Sequence, residues 1–557
     1  MASIMMVSLL TQVWGIERDL PMPTLDERYF VTPATYIAAS GSLNPHWFGH
    51  PGSTIIYPLA LLFRLREVVF HGAPLFGAAH SVAARFQDDP GSYYLSGRIW
   101  VMILGLACLP LIYLIGRRTV GEVAAFVATG IWAIAPLALQ YGTVTRTDTA
   151  GLLFALLTIL WCMRALDRPT IGRFALCGVA AGFAVSSRYF LATLAIMITL
   201  TWCLARARSR TPFLALVAAG GATIGTFALT TPFFFLAMSE ALRSLSEEAT
   251  FRIPFQSHGF VDNLTFYVGE AIPETISVLG CIAAIIGIVL LIRRRTASRV
   301  LLLVWVPCVV IESCFLGVHW NRWIIPALPI VLLFAAFGAV ESARIVAARV
   351  REPSMRRRAF VVLAATAVVL IAAGPIASAV EFERVTAHPS TRVQALHFIE
   401  DHIPTGSSIA VEIRGPDLTT SAYHAANHVS LPDAGTVADF AKAGYQYFVI
   451  NSALSYKFRM CGTACPAQDA FYLWLRSHAH KLAEFKPDVP GLGGPHLAIY
   501  DISAARDDLP GALARSRGIR QLTLHTTKNN HVESIPGPIP FVHDKLDEFA
   551  AAARAQP

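Results

Sequence analysis

Residues 17–30 read ERDLPMPTLDERYF, and they set an acidic pair, Asp26-Glu27, directly behind an apolar run at Ile4–Ile16. Carboxylates are costly in or against a bilayer, so a pair at its edge is a functional-site hypothesis by default. Working outward, further apolar runs of near-spanning length follow at Ile99–Ile115, Val120–Leu139, Thr149–Met163, Phe174–Val185, Phe190–Leu204 and Phe213–Leu236. Four more lie at Thr275–Ile292, Val300–Leu316, Ile324–Val340 and Ala359–Val380. The reading is a polytopic α-helical membrane protein of about eleven spans. The first run is the shortest for that role. It lacks a basic leading segment and a small-residue cleavage motif, so an uncleaved first span is expected.

Composition agrees. Of 557 residues, 54% are hydrophobic and 15% charged, where a soluble domain carries about a quarter charged. The net charge of +8 does not mark a nucleic-acid surface, because the arginines share no polar face. They cluster in the linkers at Arg117-Arg118, Arg164 to Arg173, Arg206 to Arg210, Arg293 to Arg299 and Arg344 to Arg358. With the amino terminus inside, all five clusters fall on the cytoplasmic side, as the positive-inside rule requires. Single arginines, Arg146, Arg188 and Arg322, then sit at outward turns, and the carboxyl terminus is external.

The first outer loop, Glu17 to Arg98, is too long for a connector. Its apolar stretches Ile55 to Phe63 and Leu75 to Phe86 read as interfacial helices. A second outer loop, Ala237 to Glu274, carries Glu240, Glu247 and Glu248 beside Arg243 and Arg252. After Val380 the pattern changes. Thr391 to Ile403 has helical spacing, and Ser408 to Val411, Tyr445 to Ile450 and Leu497 to Ile502 read as strands. Residues 1–380 are thus expected to form the membrane domain and 381–557 an external α/β soluble domain with a polar tail. Seven cysteines lie in apolar runs as small packing residues. Cys461 and Cys465 lie in the tail, where a zinc site would need two further ligands. Outside the cytoplasm, a local disulfide is the better reading.

An ordered series of short motifs accompanies this topology: Asp26-Glu27-Arg28-Tyr29, His50-Pro51-Gly52, Ser96-Gly97-Arg98, Thr145-Arg146-Thr147-Asp148, Ser186-Ser187-Arg188-Tyr189 and His319-Trp320-Asn321-Arg322-Trp323. The series resembles the protein O-mannosyltransferase-like members of the GT-C superfamily, which include bacterial aminoarabinose transferases of lipid A. The resemblance covers residues 1–380. The tail looks like the periplasmic domain that many bacterial members carry.

The resemblance implies a multi-pass inner-membrane enzyme that transfers a sugar from a polyprenyl-phosphate carrier to a hydroxyl acceptor on the outer face. The acceptor is a glycan, lipid or protein of the cell envelope. Asp26 matches the family's first-loop acid and is the candidate base, with Glu27 as its catalytic neighbour. A carboxylate at an apolar boundary is a stronger base than a solvated one. The lipid phosphate is a good leaving group, so the second requirement is positive charge. Arg146, Arg188 and Arg322 fit that need, beside Asp148 and His319 as substrate-binding candidates. The competing reading for each arginine is snorkelling to the interface. The sequence settles no cofactor; a divalent metal is one option, on Asp26, Glu27 and His50 with Asp148 and His46 as further candidates, although both histidines read more readily as polar loop residues. Rival functions are a transporter or flippase, or a polysaccharide polymerase or ligase. No two-half similarity of the transporter kind is visible.

Overall fold

A computed structural model describes residues 1–250, 259–418, 422–461, 465–489, 493–503 and 539–555. The stretch 504–538, with Pro536 and Pro538 of the expected polar tail, lies outside the described residues, as does Arg252. The chain divides into two compact units. The first comprises Met1–Ile16, Asp26–Glu383 and Phe541–Pro557; the second comprises Glu17–Leu25 and Arg384–Pro540. Two short segments therefore belong to the unit opposite the one their sequence neighbourhood indicates.

The first unit is helical. Among the described residues seven helices are long and apolar enough to cross a membrane, or up to nine if each of two bent pairs is one span. This is fewer than the eleven expected, although each apolar run does fall on helix. The helices Ala2–Val13 and Ile171–Ser187 are apolar but short. The bends have local causes. Pro136 opens the second half of Glu122–Ala133 plus Pro136–Gly142, bent by 55°, because proline cannot continue the backbone ladder. Ser277, at φ 67°, separates Phe260–Ile276 from Val278–Arg293, bent by 106°.

Apolar side chains gain little from meeting one another in lipid, so close approach of backbones matters more. Gly178 and Gly182 lie one turn apart, and a Cβ on Gly178 would strike the Ala219 carbonyl. Gly287 and Gly338 play the same part between Val278–Arg293 and Leu328–Ala347. The Leu328–Ala347 helix is buried along most of its length.

The first loop is more helical than its sequence indicates. It holds Leu25–Ser40, Ser53–His71 and Ser81–Asp88. Ser53 and Thr54 hydroxyls bond those of Thr231 and Ser187, both at 2.9 Å, fixing the loop to the ends of later helices. The chain end Ile539–Arg554 is also helix; Val542, Leu546 and Ala550 are buried along one face, and Phe549 stacks on His80.

The second unit carries a five-stranded sheet: β1 (Ser408–Glu412), β2 (His424–His428), β3 (Tyr447–Asn451), β4 (His480–Phe485) and β5 (Leu497–Asp501), in order β2-β1-β3-β5-β4. β1 pairs parallel with β2 and β3, whereas β5 is antiparallel to β3 and β4. Its two faces bury separate clusters, around Phe448 and Tyr472 on one and around Ile399 and Val449 on the other. Residues 17–25 join this unit: Asp19 accepts from the Ser390 N–H at 3.2 Å, and Arg392 donates to the Pro23 carbonyl at 2.7 Å.

Candidate functional site

Asp26 and Glu27 occupy the first turn of the Leu25–Ser40 helix, where the helix dipole favours negative charge. Neighbouring helical residues point about 100° apart, and here that separates two environments. Glu27 turns inward and is fully buried. Arg98 Nε and Nη2 donate to its two oxygens at 2.8 and 2.9 Å, and the Thr145 N–H adds a third bond at 3.1 Å. Arg98 also donates to the Ile16 carbonyl at 2.8 Å. A Cβ on Gly97 would collide with the Thr145 side chain, so the glycine before Arg98 admits the loop that reaches Glu27.

Asp26 turns the other way, and its side chain is 44% exposed. Arg146 Nη1 bonds its carboxylate, and Arg322 Nη1 stands 4.0 Å from the same oxygen. Arg146 Nε donates to Asp148 at 3.1 Å, and Asp148 accepts from Arg188 on its other oxygen. Asp148 itself is fully buried at the first residue of the Asp148–Asp167 helix. The N-cap of that helix is Thr147, whose side chain makes no cap bond. The result is an alternating chain of charge, Arg188–Asp148–Arg146–Asp26, with Arg322 beside its open end.

Arg322 differs from the other two arginines. It sits in the turn Asn321–Ile324 with its guanidinium 4.7 Å over the Trp320 ring. Its Nε is buried without a hydrogen-bond partner. Buried guanidinium nitrogens are rarely left so, and Nη1 of the same guanidinium stands 4.0 Å from the accessible Asp26 carboxylate.

Three expectations change here. The surroundings of Asp26 are cationic rather than an apolar boundary, because the turns that carry Arg146 and Arg322 fold back onto the first loop. His319 bonds Asn263 at 3.0 Å and stacks on Phe266 at 3.9 Å, while Asn263 donates to the Cys314 and Leu316 carbonyls. His319 thus helps fix its own loop. The metal grouping of Asp26, Glu27 and His50 is not assembled: among the described residues no three His, Cys, Asp or Glu side chains come together as a metal site. Arginines occupy the carboxylates of Asp26 and Glu27, and His50 faces Glu248 at 3.6 Å.

Glu248 comes from the Met238–Thr250 helix, whose Glu240 also receives His46 at 2.9 Å and Asn44 at 3.1 Å. Burial pushes the Glu248 carboxyl up, and the Arg322 and Arg146 charges oppose this in part. Burial, then Arg188 and Arg322, pull His50 down to about 3, so its ring is neutral near pH 7. Arg98 and Glu248 join the site although neither stands out in the sequence as a site residue. The signal for Arg98 was an arginine leading into a span, since a buried guanidinium needs a carboxylate. Nothing local distinguishes Glu248 from Glu247. In the second unit Cys465 is disulfide-bonded, whereas the side chain of Cys461, its expected partner, lies outside the described part.

Many apolar helices, a charged cluster on the loops that join them, and a separate α/β unit mark a multi-pass membrane protein. Residues 90–234 match the family model described as dolichyl-phosphate-mannose-protein mannosyltransferase. No curated protein matches the chain by sequence. Among solved structures the chain is similar to ArnT from Cupriavidus metallidurans in the apo state, at 12% identity and TM-score 0.53, covering 91% of this chain and 98% of that one. It is similar also to the same protein bound to undecaprenyl phosphate, at 13% identity and TM-score 0.50, covering 89% and 97%. At these identities the likeness is one of fold.

Proposed function

We propose that the chain is a membrane glycosyltransferase that moves a sugar from a polyprenyl-phosphate carrier to a hydroxyl acceptor of the cell envelope, on the outer face and with inversion. The observation that carries this reading is Asp26: an accessible carboxylate held by buried Arg146, with Arg322 beside it. Asp26 accepts the proton of the acceptor hydroxyl as that oxygen attacks the anomeric carbon. The bond from that carbon to the carrier phosphate breaks, and the phosphate leaves with the electron pair. Arg322, with a nitrogen still to satisfy, receives the growing negative charge. Asp148 holds Arg146 and Arg188 in place, and Glu27 anchors the helix that presents Asp26.

The similarity to a structure containing undecaprenyl phosphate supports the carrier class. A disulfide at Cys465 supports placing the second unit outside the cytoplasm, where such bonds persist. The test is release of polyprenyl phosphate by purified protein in detergent from a panel of lipid-linked sugars. Release with none of them, against acceptor extracts from the same envelope, overturns the reading. A reporter fused after Val380 should be external and one at Arg295 cytoplasmic; the reverse overturns the sidedness.

A further inference from the structure

The helix Ser53–His71 is apolar on two sides. Ile55, Ile56, Leu59 and Phe63 are buried, yet Leu62, Leu65, Val69 and Phe70 are exposed. Positions 62, 65 and 69 keep helical spacing, so the exposed set is a second stripe rather than scattered side chains. Against the first turns of the Pro90–Thr119 helix this stripe forms a groove of about 310 Å³. Its polar lining residues are Arg66 and Ser96.

Arg66 is fixed but not neutralised. Its Nη1 donates to Ser92 Oγ at 3.0 Å and its guanidinium lies 5.0 Å from the Tyr93 ring centre. Both partners are uncharged, and among the described residues no carboxylate pairs with it. The apolar stripe and the cation therefore meet beside the first turns of an apolar helix long enough to cross a membrane. Neither Asp26 nor Arg146, Arg188 or Arg322 lines the groove.

We propose that this groove binds an anionic phospholipid of the surrounding bilayer. Its acyl chain lies along Leu62, Leu65 and Val69, and its phosphate meets Arg66. The apolar stripe alone would accept any lipid; the unpaired guanidinium selects the anionic ones, since a basic residue near a membrane surface attracts negative headgroups. The proposal is independent of the glycosyl-transfer reading.

Native mass spectrometry of the full-length protein in detergent, with added phosphatidylglycerol or phosphatidylcholine, tests it. Wild type should retain phosphatidylglycerol in preference, and Arg66→Gln should lower that retention about fivefold while leaving phosphatidylcholine unchanged. Val69→Asp puts a carboxylate one turn from Arg66 at a side chain that is 70% exposed. It should produce the same loss without disturbing the core, whatever Arg66→Gln does to folding. Inorganic phosphate should not compete. Equal retention of both lipids by wild type, or unchanged retention in both variants, overturns the proposal. So does displacement by inorganic phosphate, which would make it a free-anion site, or by polyprenyl phosphate, which would assign the groove to the carrier.

Discussion

Arg98 and Glu27 face each other through paired hydrogen bonds of 2.8 and 2.9 Å, with both side chains closed to solvent. Removing one partner of a buried pair strands the other charge, at about 3–5 kcal/mol. Arg98→Met and Glu27→Gln should therefore each lower the unfolding temperature in detergent, and the double variant should recover part of the loss. Normal stability in Arg98→Met would show that the pair does not hold the first loop.

Asp26 is reached by solvent and Glu27 is not, so the two acids should separate by experiment. Asp26→Asn keeps shape but removes the proton acceptor. Turnover should fall about 10²–10⁴-fold with folding and donor binding largely intact. Asp26→Glu should keep a little activity. Wild-type-like turnover in Asp26→Asn would remove the base assignment.

Arg322 should act on the donor more than on the proton. Arg322→Ala deletes the guanidinium whose Nε lacks a partner, so apparent donor affinity should weaken far more than in Asp26→Asn. Donor titration decides this; an unchanged affinity would return Arg322 to an interfacial anchor.

In the second unit, burial pushes the Glu412 carboxyl up to about 7, against bonds it accepts from Tyr472, Asn451 and Leu431. Between the ordinary glutamate range and about 7, the folded unit holds a proton that the unfolded chain releases. Stability is therefore full below that window, falls as pH rises through it, and is level above. Hydrogen exchange of β1 amides, corrected for intrinsic rate, should show more protection at about pH 5.5 than at about pH 8. Glu412→Gln should flatten the difference. Rising protection with pH in the wild type would contradict the assignment.

The strands that the sequence reveals and those it hides differ by position in the sheet. β1, β3 and β5 are central, carry Ile, Val and Phe, and were legible as runs at Ser408, Tyr445 and Leu497. β2 and β4 are the edges, HAANH and HKLAEF. An edge strand is half-solvated and often polar, so it lacks the alternation that identifies a strand. The Leu25–Ser40 helix was hidden for a related reason: it lies in a loop beside other loop helices, with Pro33 inside it.

Most of the chain's membrane character, the small α/β unit that follows, and the acids and arginines gathered at the turns between apolar runs were legible in the sequence. Apolar run length and arginine placement are local quantities, and lipid enforces them residue by residue. Only tertiary structure decided that Glu27 is buried against Arg98 while its neighbour Asp26 stays open to Arg146 and Arg322. It also decided that Glu248 joins His50. Those pairings bring together residues up to about 300 positions apart; they depend on how helices pack, and no local pattern of charge records it.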